Sequence, residues 1–317
     1  MSDQYQNPVI IYSCKGIAHL VYAIWSIRSL QKFNYEPIEV IVANAQERDF
    51  FHKRLPDIHC TIMSADSKGY PAFSYKPFLL KKYVNELGFY HKDREILICD
   101  TDILWKFNPV PLFKRFSGKN WFHKITALNP KDYEWDLDVI PKSNIGLITT
   151  YHYIKDYGLD KYPNFRLNAG LFMMKEEIFV KMLDVWMEML LSMSTDNMLM
   201  SEAILSLTFA KMGLVPSCDM ENIKYLGIEK QATKLPIFSF EAVNKDDDSL
   251  RTGYETARHY YGGQRMEMFR DAKDMGLDKD WISLYARAEL TKKWLKRLPQ
   301  FPTRIKNKIL KILNLSR

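Results

Sequence analysis

Along the first hundred residues short apolar, strand-like runs alternate with segments whose apolar positions recur at helical spacing. Val9–Ser13 is a short β-branched run that ends in the turn Ser13-Cys14-Lys15-Gly16, which predicts a strand. From Ile17 to Phe33 apolar residues recur at Ile17, Leu20, Val21, Ile24, Ile27 and Leu30, the three-and-four spacing of a helix. Pro37 introduces a second strand, Ile38–Ala43, and Asn44 stands where a cap would open a helix over Gln46–Leu55. Cys60–Met63 predicts a third strand, and Pro77–Leu87 a helix stopped by Gly88. Ile96–Cys99 is apolar throughout and runs directly into Asp100-Thr101-Asp102. Strand–helix repetition of this kind predicts an α/β fold, a mixed, mainly parallel sheet flanked by helices.

Beyond residue 120 the pattern loosens. Trp121–Leu128 predicts a strand, and Asn129–Pro163 a long loop-rich segment that carries Tyr133, Trp135, Tyr151, Tyr153 and Tyr157. Leu171–Met174 predicts a buried strand, followed by helices over Glu176–Met193 and from Ser201 to Met212. Their methionines read as core filler. Asp246-Asp247-Asp248 belongs in a loop. The expected division is a globular domain over residues 1–270 and a C-terminal helical region over 271–317.

Composition narrows the class. A chain that is 47% hydrophobic and 26% charged buries a core, which excludes disordered and collagen-like proteins. Cys14, Cys60, Cys99 and Cys218 are widely spaced and form no metal-binding pair, so free thiols in a reducing compartment are expected. Residues 1–8 carry no basic side chain, Val9–Tyr12 is too short for a signal peptide, and no apolar run approaches the length of a membrane span. The expected location is the cytoplasm.

The local signals for chemistry share one theme. Asp100 and Asp102 follow an apolar strand, and the carboxyl ends of parallel strands are where ligands bind. Two carboxylates one residue apart suit a hard divalent cation that bridges phosphate oxygens. Lys76-Pro77 opens a helix, Asn168-Ala169-Gly170 precedes a strand, and Ser201-Glu202 opens another helix, where an acid is favoured. His259, Gly262, Gly263 and Arg265 place an imidazole, two small residues and a guanidinium together, a set suited to closing around a metal–diphosphate.

Taken in chain order, these pieces resemble a nucleotide-sugar glycosyltransferase of the GT-A (Rossmann-like) fold, with the nearest likeness to family 8 and related bacterial sugar transferases. The resemblance runs from Val9 to Arg265. It implies Asp100, Asp102 and His259 as ligands of Mn2+ or Mg2+. It further implies Ser13, Lys76, Asp100, Asn168, Gly262 and Arg265 around the donor, a UDP-sugar, and Glu202 as the catalytic residue beneath the sugar. The family's His-x-x-Gly-x-x-Lys becomes His259, Gly262 and Arg265, with Arg for Lys. Its Asn-Ser/Thr-Gly becomes Asn168-Ala169-Gly170, and its Asp-Gln-Asp becomes Ser201-Glu202-Ala203. The function implied is transfer of a sugar to a glycan or lipid-linked saccharide. A strand followed by Asp-x-Asp also resembles a haloacid-dehalogenase-like phosphatase with Asp100 as nucleophile. A third reading is a catalytically silent nucleotide-sugar-binding protein.

The charge of +7 adds one more expectation. Nine of the 45 basic residues and none of the 38 acids fall in Thr291–Arg317, so residues 1–290 hold 36 bases against 38 acids. Ile305, Ile309, Ile312 and Leu313 share one helical face in that tail, with Lys308 and Lys311 beside it. A basic amphipathic helix predicts peripheral attachment to an anionic membrane surface, and no nucleic-acid module accompanies the charge.

Overall fold

The computed structural model describes residues 6–63, 75–87, 94–123, 125–127, 158, 165–192, 200–217, 238–241, 255–260 and 265–284. In chain order these form β1 (Val9–Ser13), α1 (Ile17–Gln31), β2 (Ile38–Val42), α2 (Ala45–His52), β3 (His59–Ile62), α3 (Tyr75–Leu87) and β4 (Glu95–Cys99). There follow β5 (Ile103–Trp105), α4 (Val110–Phe116), β6 (Asn120–Phe122), β7 (Ile125–Ala127), β8 (Phe165–Leu167) and β9 (Leu171–Lys175). The remaining elements are α5 (Glu176–Ser192), α6 (Met200–Lys211), β10 (Pro216–Ser217), β11 (Phe238–Glu241), β12 (Glu255–His259) and α7 (Arg265–Asp274). The first seven match the expected alternation. Asn44 caps α2 as expected, its Oδ1 accepting from the Glu47 N–H at 2.9 Å.

Seven strands form the main sheet in the order β10-β6-β9-β4-β1-β2-β3. β1 pairs in parallel with β2 on one side and β4 on the other, β2 pairs in parallel with β3, and β9 runs antiparallel to both β4 and β6. The chain builds outward from β1 through β2 to β3, then crosses back to lay β4 on the opposite side of β1. The carboxyl ends of β1 and β4 therefore flank a topological switch point, the usual crevice for a ligand in such sheets.

The strands read as continuous apolar runs because both faces of the sheet are covered. Ile10 and Tyr12 of β1, Leu97 and Cys99 of β4, and Leu171 and Met173 of β9 enter one buried cluster with α1. Val9, Ile11, Ile96, Ile98, Phe172 and Met174, their neighbours in sequence, enter a second cluster with α3, α5 and α6. Met182 and Met189 of α5 lie in this second cluster, as the core-filler reading expected.

Three features depart from the sequence expectation. The strand expected over Trp121–Leu128 is two strands: β6 belongs to the main sheet, whereas β7 pairs with β8 in a separate ribbon. The local apolar pattern does not register a change of partner. A three-stranded sheet, β11-β12-β5, was not foreseen, since β5 is only three residues long and adjoins the predicted strand. Finally, the expected boundary at residue 270 falls inside α7, and Met268, Ala272, Leu277 and Ile282 share the buried cluster of α1. Arg28 reinforces this contact by donating to the Leu277 carbonyl at 2.8 Å and pairing with Asp280 at 2.5 Å.

Cys14, Cys60 and Cys99 are free and buried, while Cys218 lies outside the described residues. So do the aromatic segment Asn129–Pro163 (apart from Gly158), Asp246-Asp247-Asp248 and the tail Thr291–Arg317. Among the described residues no helix is long and apolar enough to cross a membrane.

β5 is attached to α1 by a buried polar relay. The Trp105 N–H donates to Ser29 Oγ at 2.9 Å, and Ser29 Oγ donates to the Ser26 carbonyl. Ser29→Ala leaves the Trp105 N–H buried without that acceptor and is expected to lower stability by about 1–3 kcal/mol, read from the urea midpoint. A smaller change than about 0.5 kcal/mol would show that the relay contributes nothing net.

Candidate metal centre

β4 delivers Asp100 to the carboxyl edge of the sheet, beside the end of β1, where Tyr12 pairs with Cys99. The chain then turns through Thr101 and Asp102 into β5, which pairs antiparallel with β12 so that Ile103 faces His259. The Tyr260 N–H closes this pairing on the Asp102 carbonyl at 2.8 Å. Short as it is, β5 brings an imidazole from far along the chain onto Asp100-x-Asp102. Nε2 of His259 lies 3.3 Å from Asp102 Oδ1 and 3.7 Å from Asp100 Oδ2.

The third wall comes from β9. Its approach, Asn168-Ala169-Gly170, runs beside Asp100, whose N–H donates to the Gly170 carbonyl at 2.6 Å. Asn168 Oδ1 accepts from the Gly170 N–H at 2.8 Å and shapes this bend. Glycine at 170 is required by proximity. A Cβ there would sit 2.4 Å from His259 Cε1, 2.8 Å from Asn168 Oδ1 and 2.9 Å from Asp100 Oδ2.

Lys76, in the first turn of α3, completes the arrangement. Its ammonium pairs with Asp100 Oδ1 and donates to the Ala169 carbonyl at 3.0 Å. The two oxygens of Asp100 are thereby divided, Oδ1 toward Lys76 and Oδ2 toward His259. Burial is uneven: the His259 side chain is 2% exposed, while Asp100 and Asp102 retain 33% and 20%. The imidazole forms the floor of the site, and the carboxylates line its open side.

The donor set fits a hard divalent cation. One ligand atom each from Asp100, Asp102 and His259 lies within 4.8 Å of the others. Two carboxylates converging on one point repel each other, and a cation between them reverses that term. Oxygen donors with one imidazole suit Mn2+ or Mg2+ better than a thiolate-seeking metal. Cys99 is not among the converging ligand atoms, and burial pushes its thiol well above its ordinary range. Its Sγ–H lies 3.3 Å from the Asp100 carbonyl oxygen.

Of the residues singled out from sequence, Lys76, Asp100, Asp102, Asn168 and His259 therefore come together. Ser13 ends β1 at the adjoining strand edge. Its loop is tied to the next one by Glu47, a buried carboxylate that accepts from the Gly16 N–H and the Ala43 N–H, each at 2.8 Å. Gly16 holds a φ of +89° there, a conformation that favours glycine. Glu202 lies in the first turn of α6, one turn before Ser206, whose Oγ accepts from the Leu167 N–H at 3.0 Å. The side chains of Glu202 and Arg265 and the whole of Gly262 lie outside the described residues.

One site residue was not found from sequence. His123 follows β6, and its ring meets that of His259 edge-on, with centroids 5.4 Å apart and planes at 66°. Its backbone N–H and its Nδ1 both bond to the Leu171 carbonyl, at 3.1 and 2.9 Å. A single histidine after Trp121-Phe122 carries no motif, and only the β6–β9 pairing reveals where it goes.

Gly170→Ala is expected to displace His259 or Asp100 and to weaken Mn2+ binding by at least about tenfold, measured by calorimetric titration of the intact protein. Wild-type affinity in this variant would mean that the close approach is not needed for the ligand geometry.

No family model and no curated protein matches the chain. Among solved structures it is similar to the galactosyltransferase LgtC in complex with donor and acceptor sugar analogues, at 14% identity and a TM-score of 0.46, over 88% of this chain and 95% of that one. It is also similar to mouse xyloside xylosyltransferase 1, at 11% identity and a TM-score of 0.40, over 67% and 84% of the two chains. A third likeness is to the glycosyltransferase GlyE of Streptococcus pneumoniae TIGR4, at 13% identity and a TM-score of 0.38, over 67% and 45%. At 11–14% identity these likenesses do not specify an activity, which has to come from the site itself.

Proposed function

We propose that this protein is a metal-dependent glycosyltransferase that moves a sugar from a nucleoside diphosphate donor, a UDP-sugar, to a saccharide or glycolipid acceptor. The observation that carries this reading is the convergence of Asp100, Asp102 and His259 at the switch point of a parallel sheet. Asp100, Asp102 and His259 would hold Mn2+ or Mg2+, which when bound supplies positive charge to a diphosphate leaving group.

The chain's own groups then divide the remaining work. Lys76 holds one oxygen of Asp100 and leaves the other toward His259, and its ammonium adds positive charge near departing phosphate oxygens. Ser13, Asn168, Gly262 and Arg265 are assigned to the donor. The bond between the anomeric carbon and the diphosphate oxygen breaks, and the acceptor hydroxyl oxygen bonds to that carbon and gives up its proton. Glu202 is the assigned group beneath the sugar, taking that proton in an inverting transfer, or stabilising the cationic sugar centre in a retaining one, where the departing diphosphate oxygen takes the proton. Asn129–Pro163 is assigned to the acceptor.

A phosphatase with Asp100 as nucleophile is less well supported. Its carboxylate oxygens face Lys76 on one side and His259 on the other, an arrangement suited to holding a cation rather than attacking phosphorus. A silent binding protein would share the pocket but show no turnover.

The basic tail is assigned to the cytoplasmic face of an anionic membrane, where each basic residue contributes about 1 kcal/mol. Changing Lys306, Lys308 and Lys311 to Glu in the full chain is expected to release the protein from phosphatidylserine vesicles in a sedimentation assay. Undiminished sedimentation would remove the anchor.

UDP-sugars are expected to raise the melting temperature in the presence of Mn2+ and not with chelator, the shift growing with ligand concentration. Asp102→Asn is expected to abolish metal-dependent release of UDP while leaving the melting temperature without ligand near that of wild type. Full turnover in Asp102→Asn would sink the metal assignment, whereas phosphate release from simple phosphoesters would favour the phosphatase.

A further inference from the structure

We infer that His123 is a positioning residue for the metal centre, one that fixes the plane of the His259 imidazole through ring contact and leaves cation binding to Asp100, Asp102 and His259. This rests on the metal-dependent reading above. His123 is outside the group of converging ligand atoms, so it acts on the cation only through His259.

The geometry leaves little freedom to the His123 ring. Its backbone N–H and Nδ1 share one acceptor, the Leu171 carbonyl, at 3.1 and 2.9 Å. A carbonyl oxygen only accepts, so the second bond requires the proton on Nδ1. Anchoring at both the backbone and the ring sets both side-chain torsions. The ring is held edge-on to His259 at 5.4 Å between centroids, an arrangement favoured between aromatic faces and edges.

His259 needs such support. Its ring is buried, and the space it occupies exists because Gly170 has no Cβ. That space permits the ring without dictating its tilt, and the position of Nε2 depends on tilt. Gly170 and Leu171 are adjacent, so the same two peptides receive the Asp100 N–H, clear room for His259 and anchor His123. Groups that orient a metal-binding imidazole commonly change metal affinity 10- to 100-fold when lost.

The test uses Mn2+ alone, without nucleotide, titrated into the intact protein by calorimetry and by electron paramagnetic resonance. His123→Ala is expected to weaken Mn2+ binding by about 10- to 100-fold and to diminish the nitrogen coupling that His259 contributes to bound Mn2+. His123→Phe keeps a ring at the same place and the backbone N–H bond to Leu171, and is expected to restore most of both signals. Urea midpoints for each variant separate these effects from general loosening of the fold. Wild-type affinity in His123→Ala, or equal losses in Ala and Phe, overturns the inference while leaving the metal centre standing. Absence of Mn2+ binding by the wild-type protein overturns the metal centre and the inference with it.

Discussion

The missing side chain at position 170 governs how closely the parts of the site can approach one another. β4 and β9 are hydrogen-bonded neighbours, and at their shared end the Asp100 N–H reaches the Gly170 carbonyl at 2.6 Å. Into the space beside that bond comes His259, carried by a strand that belongs to a different sheet. Any Cβ at 170 would lie 2.4 Å from the imidazole, inside contact distance, so backbone and ligand could not both keep their places. Lys76 then binds both sides of the junction, pairing with Asp100 and donating to Ala169.

Around this junction the fold is stiff for ordinary reasons. Each central strand sends alternate side chains into two buried clusters, so it cannot slip by one residue without exchanging its faces. The loops after β1 and β2 are joined through both oxygens of Glu47, which makes the edge facing the site a connected rim. The chain after α7 is fastened to α1 through Arg28, Trp25 and Lys32, and this holds the end of the described globular part against the core. A site held by such a scaffold begins in the geometry it needs, which is where electrostatic binding of a charged ligand gains most.

Periodicity made much of the architecture legible. The alternation from Val9 to Cys99 and the apolar character of β4 and β9 follow from burial on two faces, a property each segment expresses locally. Asp100 and Asp102 stood out because a polar pair directly after such a strand must lie at a sheet edge. The change of partner between β6 and β7, the small sheet built on β5 and the helix α7 were not legible, since short elements depend on partners far away in the chain. His123 belongs with these. Nothing near it in sequence distinguishes it from a core histidine, and its place beside His259 comes from β6 pairing with β9.

The amino-acid sequence thus specified the strands and helices from Val9 to Cys99, the carboxylate pair and the concentration of positive charge in Thr291–Arg317, all of which are properties of neighbouring residues. The folded chain alone established that His259 reaches that pair, that Lys76 divides the oxygens of Asp100, and that Gly170 is the residue that makes room. The physical reason is one of range. Hydrophobic period and turn chemistry act over a few residues, whereas the distances that bring Asp100, Asp102 and His259 together are set by strand pairings whose partners lie scores of residues apart.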